Sequence, residues 1–237
     1  MTNQFMYQVV ECQLLSDSVS RVVLQASHAP HLVYQAGQYI KVLHRDDSVS
    51  PLSISCSPVK PGQIELHLSH SLNNEQAQDI LKMIGEEARL TLSGPFGSCT
   101  LSRFSLTQPI IFLAAGTGFA PVKSLVEALM KLENCPAMHL YWGGTVESEL
   151  YMLELPQKWV STIPNFSYTP VLKNSEKTWT GKTGLLQEAV LQDYPELSGF
   201  QVYVSGPEKL VYSAFDKFQL NGLSKERFYS DMFNYEY

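Results

Sequence analysis

The sequence predicts a two-domain chain: an antiparallel β-barrel domain followed by an α/β doubly wound parallel-sheet domain. Three observations carry this expectation. Roughly the first hundred residues read as short alternating or β-branched runs divided by turn signals. The rest alternates apolar strand-like runs with helical stretches, the pattern of a parallel sheet with crossover helices. Glycine turns directly follow two of those apolar runs, at the sheet edge where α/β folds bind ligands.

In the first half, strands are expected over Tyr7–Leu15, Val19–Gln25, Tyr39–Leu43, Gln63–Ser69 and Ala88–Leu92. Ala36-Gly37 and Lys60-Pro61-Gly62 supply turns between them. One helical patch interrupts, Glu75–Gly85, with Ala77, Ile80, Leu81 and Ile84 at helical spacing. Many short strands and one helix suggest a barrel with a capping helix.

In the second half, Pro109–Ala115 is a continuous apolar run, as expected of a strand buried on both faces. A helix over Ala120–Leu132 should follow, then the strand His139–Trp142 and a helix around Glu147–Trp159. The strand Phe166–Leu172, a helix over Leu185–Asp193 and the strand Gln201–Val204 continue the alternation. The boundary falls between Phe104 and Gln108, which divides the chain into residues 1–105 and 106–237.

With 44% hydrophobic and 17% charged residues over 237 positions, the chain can pack a core. The net charge of −6, without a lysine or arginine cluster, argues against nucleic acid or an anionic membrane as partner. Cys12, Cys56, Cys99 and Cys135 lie far apart and have no zinc, redox or iron–sulfur spacing. They read as thiols of a reducing cytosol. The start of the chain lacks a basic region leading into an apolar run, and no apolar stretch reaches membrane length, so a cytoplasmic protein is expected. No metal site is expected either. His67 and His70 sit three apart on a strand, which puts them on opposite faces.

Ala115-Gly116-Thr117-Gly118-Phe119-Ala120-Pro121 is the sharpest local signal. Glycines there allow a tight turn and a close approach to a phosphate or ring, and the helix start offers unpaired N–H groups. Pro121 suits the first turn of that helix. The longer Gly-x-Gly-x-x-Gly fingerprint is absent, and a plain tight turn would read the same way. Val204-Ser205-Gly206-Pro207 ends a second buried strand, and two such turns on one edge could frame a single dinucleotide. In the first half, Gly37-Gln38-Tyr39 enters a strand, and Ser50-Pro51-Leu52-Ser53 interleaves hydroxyls with apolar groups. Such a segment can bond the edge of a flat heteroaromatic ring, or simply be an edge strand. Gly94-Pro95-Phe96-Gly97 is a turn. No nucleophile–base–acid arrangement stands out. Phe228, Tyr229, Phe233, Tyr235 and Tyr237 read as core or as an aromatic tail that stacks on a ring.

Taken in order, these segments resemble the ferredoxin–NADP reductase superfamily, closest to the bacterial NAD(P)H–flavin reductases. The match runs along nearly the whole chain: Ala36-Gly37-Gln38-Tyr39, Ser50-Pro51-Leu52-Ser53, Gly94-Pro95-Phe96-Gly97, Ala115-Gly116-Thr117-Gly118, Tyr141-Trp142-Gly143-Gly144 and Ser205-Gly206-Pro207. The resemblance implies a flavin-binding barrel, a Rossmann-like NAD(P)-binding domain, and hydride transfer from reduced nicotinamide to flavin N5. It implies that Ser53 contacts N5 and that Ser205 stands beside the nicotinamide. Tyr39, Ser50, Pro51, Leu52, His67, Ser69, Gly94, Gly97 and Phe233 would serve the flavin. Gly116, Thr117, Gly118, Pro121, Gly143, Gly144, Gly206 and Pro207 would serve the dinucleotide.

Three positions depart from the family pattern. Ser50 replaces an arginine that pairs with flavin phosphate, Leu52 an aromatic beside the flavin, and Ser205 a cysteine near the nicotinamide. The first two favour FAD or FMN as a dissociable substrate over a permanently held group. Glu147, an acid near the expected ribose, leans towards NADH over NADPH, or simply opens a helix. Two alternatives stand beside the flavin reductase. One is an FAD-containing reductase that passes electrons to a separate ferredoxin or oxygenase. The other is a binding module that kept the fold and lost the activity.

Overall fold

The computed structural model describes residues 4–70, 74–174 and 178–234, with backbone alone at 233 and 234. Two six-stranded sheets organise these residues. The first is antiparallel and comprises β1 (Gln4–Ser16), β2 (Val19–Ala26), β3 (Tyr39–Leu43), β4 (Val49–Ser53), β5 (Gln63–Ser69) and β6 (Arg89–Phe96). Its order is β4-β3-β6-β1-β2-β5. Just past β4, a bridge from Ile54 to Leu66 joins the two edges, so the sheet closes into a barrel. Alternation along the strands points Val22, Leu24, Ile40, Val42, Ile64, Leu66, Leu68, Leu90 and Leu92 into one core.

Helix α1 (Glu75–Glu87) caps that core with Ala77, Ile80 and Met83. Burying a side chain the size of isoleucine or methionine stabilises by roughly 1.5–3 kcal/mol. Asn74 caps the start, its side-chain oxygen accepting from the Ala77 N–H at 3.1 Å. The strand expected to begin at Ala88 begins at Arg89 instead. Ala88 takes φ +51° and donates its N–H to the Ile84 carbonyl, which makes it the left-handed stop of α1.

The second sheet is parallel throughout, in the order β10-β9-β8-β7-β11-β12. Its strands are β7 (Ile110–Ala115), β8 (Met138–Gly144), β9 (Phe166–Leu172), β10 (Lys182–Thr183), β11 (Gln201–Ser205) and β12 (Phe228–Tyr229). Helices α2 (Phe119–Leu129), α3 (Glu154–Thr162), α4 (Leu186–Asp193) and α5 (Glu208–Leu220) connect them. Along β7, Ile110, Phe112 and Ala114 pack with α2 and with Trp159 of α3. Ile111 and Leu113 pack with α4 and α5 on the other face. The apolar run over β7 thus reflects burial on both faces. Ala36, Cys99 and Phe104 join the same core as α2, so apolar packing continues between the two halves.

Several helix limits differ from expectation, most of all the start of α3. The helix expected from Glu147 starts at Glu154, because residues 147–149 form a 3₁₀ turn and Leu150 and Tyr151 turn inward. α2 ends at Leu129 rather than Leu132. None of the described helices is long and apolar enough to cross a membrane.

Candidate functional site

From β7 the chain proceeds outward through β8 and β9, then returns to place β11 on the other side of β7. The topological switch point therefore lies between β7 and β11. Their C-terminal ends align, with Ser205 opposite Ala114. Each end carries one of the two glycine turns, so the sequence signals that were far apart meet at one edge.

Gly116 adopts φ +52°, and a Cβ added there would meet nothing within 4 Å, so the turn presents bare backbone to open space. At Gly118 a Cβ would overlap the Ser205 carbonyl oxygen, so the two turns touch through backbone. Trp142 holds the first turn from below: its indole N–H donates to the Gly116 carbonyl at 2.9 Å. Its ring stacks on Phe119, the first residue of α2, at 3.9 Å.

These turns form one wall of a cavity of about 970 Å³, whose opposite wall is the barrel. The barrel contributes Ser18, Val19, Pro51, Leu52, Ser53, His67 and Ser69. The parallel sheet contributes Gly116, Thr117, Gly118, Gly143, Gly144, Ser205, Gly206 and Pro207, all of them candidates from the sequence. The Ser53 hydroxyl makes no hydrogen bond to another described residue, which leaves it available to a ligand.

Other candidates lie elsewhere. Tyr39, Ser50, Gly94, Gly97 and Pro121 do not line the cavity. Tyr39 is buried beside Phe96, with ring centroids 5.6 Å apart, and Gly97 packs beneath its ring. The side chain of Phe233 and residues Tyr235 and Tyr237 lie outside the described residues. Phe228 and Tyr229 belong to the core.

Ser50 shows why position in a motif does not settle orientation. It shares a strand face with Leu52, which packs on the barrel core. Its Oγ lies 2.7 Å from His44 Nε2, and His44 Nδ1 lies 2.6 Å from Asp79 Oδ2. The order of groups is that of a serine–histidine–aspartate triad, yet Ser50 is only 4% exposed and away from the cavity. With Gln76 accepting from Ser50 at 3.2 Å, the cluster fastens β4 to α1 instead of presenting a nucleophile.

His67 is likewise occupied. Its side chain is 0% exposed, so only its main chain can meet the cavity. Nε2 lies 3.2 Å from Glu65 and Nδ1 2.9 Å from the Tyr151 hydroxyl. Burial lowers its pKa against the pull of Glu65, so the ring is neutral. A carboxylate only accepts, so Nε2–H donates to Glu65 and Nδ1 accepts from Tyr151. Burial pushes the Glu65 carboxyl up, but hydrogen bonds and charge from His67 and Lys123 outweigh it and hold it well below the usual carboxylate range. His70 lies past the end of β5, 3.0 Å from Ser20 Oγ. No cluster of metal ligands occurs among the described residues.

Several lining residues had no motif to announce them. Lys173 and Lys209 follow the ends of β9 and β11 and bring positive charge to the cavity. Their position at the C-terminal edge of parallel strands was the available signal. Glu149, rather than Glu147, is the acid in the cavity wall, and its carboxylate accepts from the Thr145 N–H at 2.8 Å. Ser18 comes from the β1–β2 turn and Val19 from the start of β2, and nothing local marks them.

The family described as oxidoreductase NAD-binding domain matches residues 112–215. A CDP-6-deoxy-L-threo-D-glycero-4-hexulose-3-dehydrase reductase of Yersinia pestis is 35% identical over 93% of this chain, which spans 66% of that relative's length. A probable flavin reductase of Aliivibrio fischeri is 30% identical over 84% of this chain and 86% of its own length. The crystal structure of the Amycolatopsis cytochrome P450 reductase GcoB superposes with a TM-score of 0.86 at 21% identity, over 96% of this chain and 68% of that one. The last likeness carries the fold, and the first two carry descent. The chain belongs to the ferredoxin–NADP reductase superfamily, beside the NAD(P)H–flavin reductases.

Proposed function

We propose that the chain is an NAD(P)H:flavin oxidoreductase, with a flavin-binding barrel over residues 1–105 and an NAD(P)-binding half over 106–237. One observation carries the reading: Ser53 and the paired turns at Gly116–Gly118 and Ser205–Pro207 face each other across a single cavity. Its volume of about 970 Å³ lies at the upper end for a ligand pocket and leaves room for two rings to meet face to face. The bare backbone at Gly116 and the unengaged Ser53 hydroxyl fit a dinucleotide and a ring edge respectively. When bound, the flavin supplies at N5 the acceptor for the hydride that leaves nicotinamide C4, so the flavin is reduced and the nicotinamide oxidised.

The chain's own part is to hold and to exclude. The glycine turn at Gly116–Gly118 offers backbone to phosphate, with Lys173 and Lys209 adding charge. Ser53 bonds the flavin edge, and Ser205 bears on the nicotinamide side. No general base is needed. The serine at position 50, where the family pattern carries an arginine, supports a flavin that leaves as product, because that phosphate-pairing cation is missing. Glu149 supports a preference for NADH, since its carboxylate would repel a 2′-phosphate.

NADH and NADPH oxidation with and without riboflavin, FMN and FAD tests this. Saturation with added flavin supports flavin as substrate. A second reading, electrons handed to a separate acceptor protein, is supported by the relative named as a dehydrase reductase. Flavin retained through purification, with oxidation only when an artificial acceptor is added, would favour that reading. No oxidation under any condition would leave a module without the chemistry.

A further inference from the structure

The helix that starts at the dinucleotide turn also grips the barrel, and it does so beside Ser53. Lys123, Ser124 and Glu127 lie on α2, and Lys131 lies just past its end at the same four-residue spacing. All four engage one short segment that follows β4. Lys123 Nζ donates to the Ser55 carbonyl at 3.1 Å, and Ser124 Oγ to the Cys56 carbonyl at 2.7 Å. Glu127 accepts from the Ser57 N–H at 3.0 Å, and Lys131 donates to Ser57 Oγ at 2.6 Å. Ser55 and Ser57 are 0% and 2% exposed, so the segment has little water to bond instead.

The Lys123 ammonium has three protons and three acceptors: the Ser55 carbonyl, Glu65 at 3.0 Å and Glu127 at 2.7 Å. Glu65 in turn receives Arg21 at 2.6 Å and the Ser55 hydroxyl at 3.0 Å, both from the barrel. Burying such charges adds little net stability over apolar contacts, because desolvation offsets their attraction. Their directional bonds, by contrast, tolerate few arrangements. The clamp stands five residues after Gly118 and two residues after Ser53.

We propose that Lys123 and Glu127 are positioning residues that set the separation between the flavin-facing Ser53 and the dinucleotide-facing Gly116–Gly118 turn by locking α2 onto Ser55–Ser57. The inference rests on the proposed function for which ligand each wall faces. Hydride transfer depends steeply on the distance between donor and acceptor, so a displaced helix should slow it while each ligand still binds its own wall.

The test compares Lys123→Met, Glu127→Gln and the conservative Lys123→Arg with the parent chain. In protein without flavin or dinucleotide, the Ser57 amide should exchange with deuterium about tenfold faster in the first two. With NADH and riboflavin, kcat should fall about tenfold to a hundredfold while the KM for NADH moves less than about twofold. The isotope effect from NADH deuterated at the transferred position should rise, and Lys123→Arg should recover most of the rate. Unchanged kcat and isotope effect beside faster exchange would reduce the clamp to a structural tie and overturn the proposal. So would equal losses in kcat and in NADH binding. Should Lys123→Met fail to fold, Glu127→Gln, at a half-exposed side chain, carries the same comparison. A parent chain that reduces no flavin would sink the proposed function, whereas a parent matched by its variants would sink the clamp alone.

Discussion

Trp142 donates its indole N–H to the carbonyl of Gly116 at 2.9 Å, so the wide aromatic of β8 supports the turn on the neighbouring strand. The bond ties two motifs that are far apart in the chain. Their joint role rests on the pairing of β7 with β8, which brings Ala115 beside Gly143.

Trp142→Phe keeps an apolar ring against Phe119 and removes the N–H donor. Loss of this bond and of ring volume at a fully buried site should destabilise by about 1–3 kcal/mol. Dinucleotide affinity should weaken with it, as thermal unfolding and NADH titration would show. An unchanged affinity would separate Trp142 from the function of the turn.

Gly116→Ala and Gly118→Ala should fail in different ways. At Gly118 the added methyl meets the Ser205 carbonyl, so the strand ends must move apart at about 1–3 kcal/mol. At Gly116 the methyl enters open space, and the left-handed φ of +52° costs about 1–2 kcal/mol while the methyl crowds the ligand side. Denaturant unfolding should therefore show both variants weakened. NADH titration on the folded fraction should single out Gly116→Ala.

Ser53→Ala removes a hydroxyl that no described residue bonds, so stability should change by less than about 0.5 kcal/mol. If Ser53 bonds the flavin edge as proposed, turnover should fall about tenfold or more, because such a donor acts mainly on the rate. Steady-state kinetics that match the parent chain would remove Ser53 from the mechanism.

Burial lowers the His139 imidazole to about 4, against the pull of Asp193. Its ring nitrogens meet Tyr194 and Thr169 at 2.9 and 2.8 Å. A folded value below the unfolded one near 6.5 means the unfolded chain takes the proton first as pH falls. The contribution is therefore complete above pH ~6.5 and is lost as pH drops towards ~4. For a partly solvated ring this amounts to about 1–2 kcal/mol. His139→Gln should flatten that part of the profile, read from urea midpoints across the range. An identical slope in the variant would place the acid sensitivity elsewhere.

Much of the fold was legible because its signals are local. The apolar run of β7, the alternation in β2 and β5, and the glycine turns report nearest neighbours along the chain. The helix expected from Glu147 was misplaced for the opposite reason: Leu150 and Tyr151 leave helical spacing to fill the core near Phe119 and Trp142. Alternation along β4 does not place Ser50, since Leu52 of the same parity both packs on the barrel core and lines the cavity. The orientation of Ser50 is set by His44 and Gln76, which lie six and twenty-six residues away.

By itself the sequence determined the longer strands of both sheets, which turns carry glycine, and the order in which they occur, but not the short strands β10 and β12 or the helix α5. Those properties follow from steric preference and from the period of apolar residues. Only the tertiary structure decided that Gly118 touches Ser205, that Glu149 and not Glu147 faces the cavity, and that Lys123 reaches across to Ser55 and Glu65. Each of these depends on strand order and on packing between distant segments. Burial and hydrogen-bond geometry arise only once the two sheets share a core, and no local period records them.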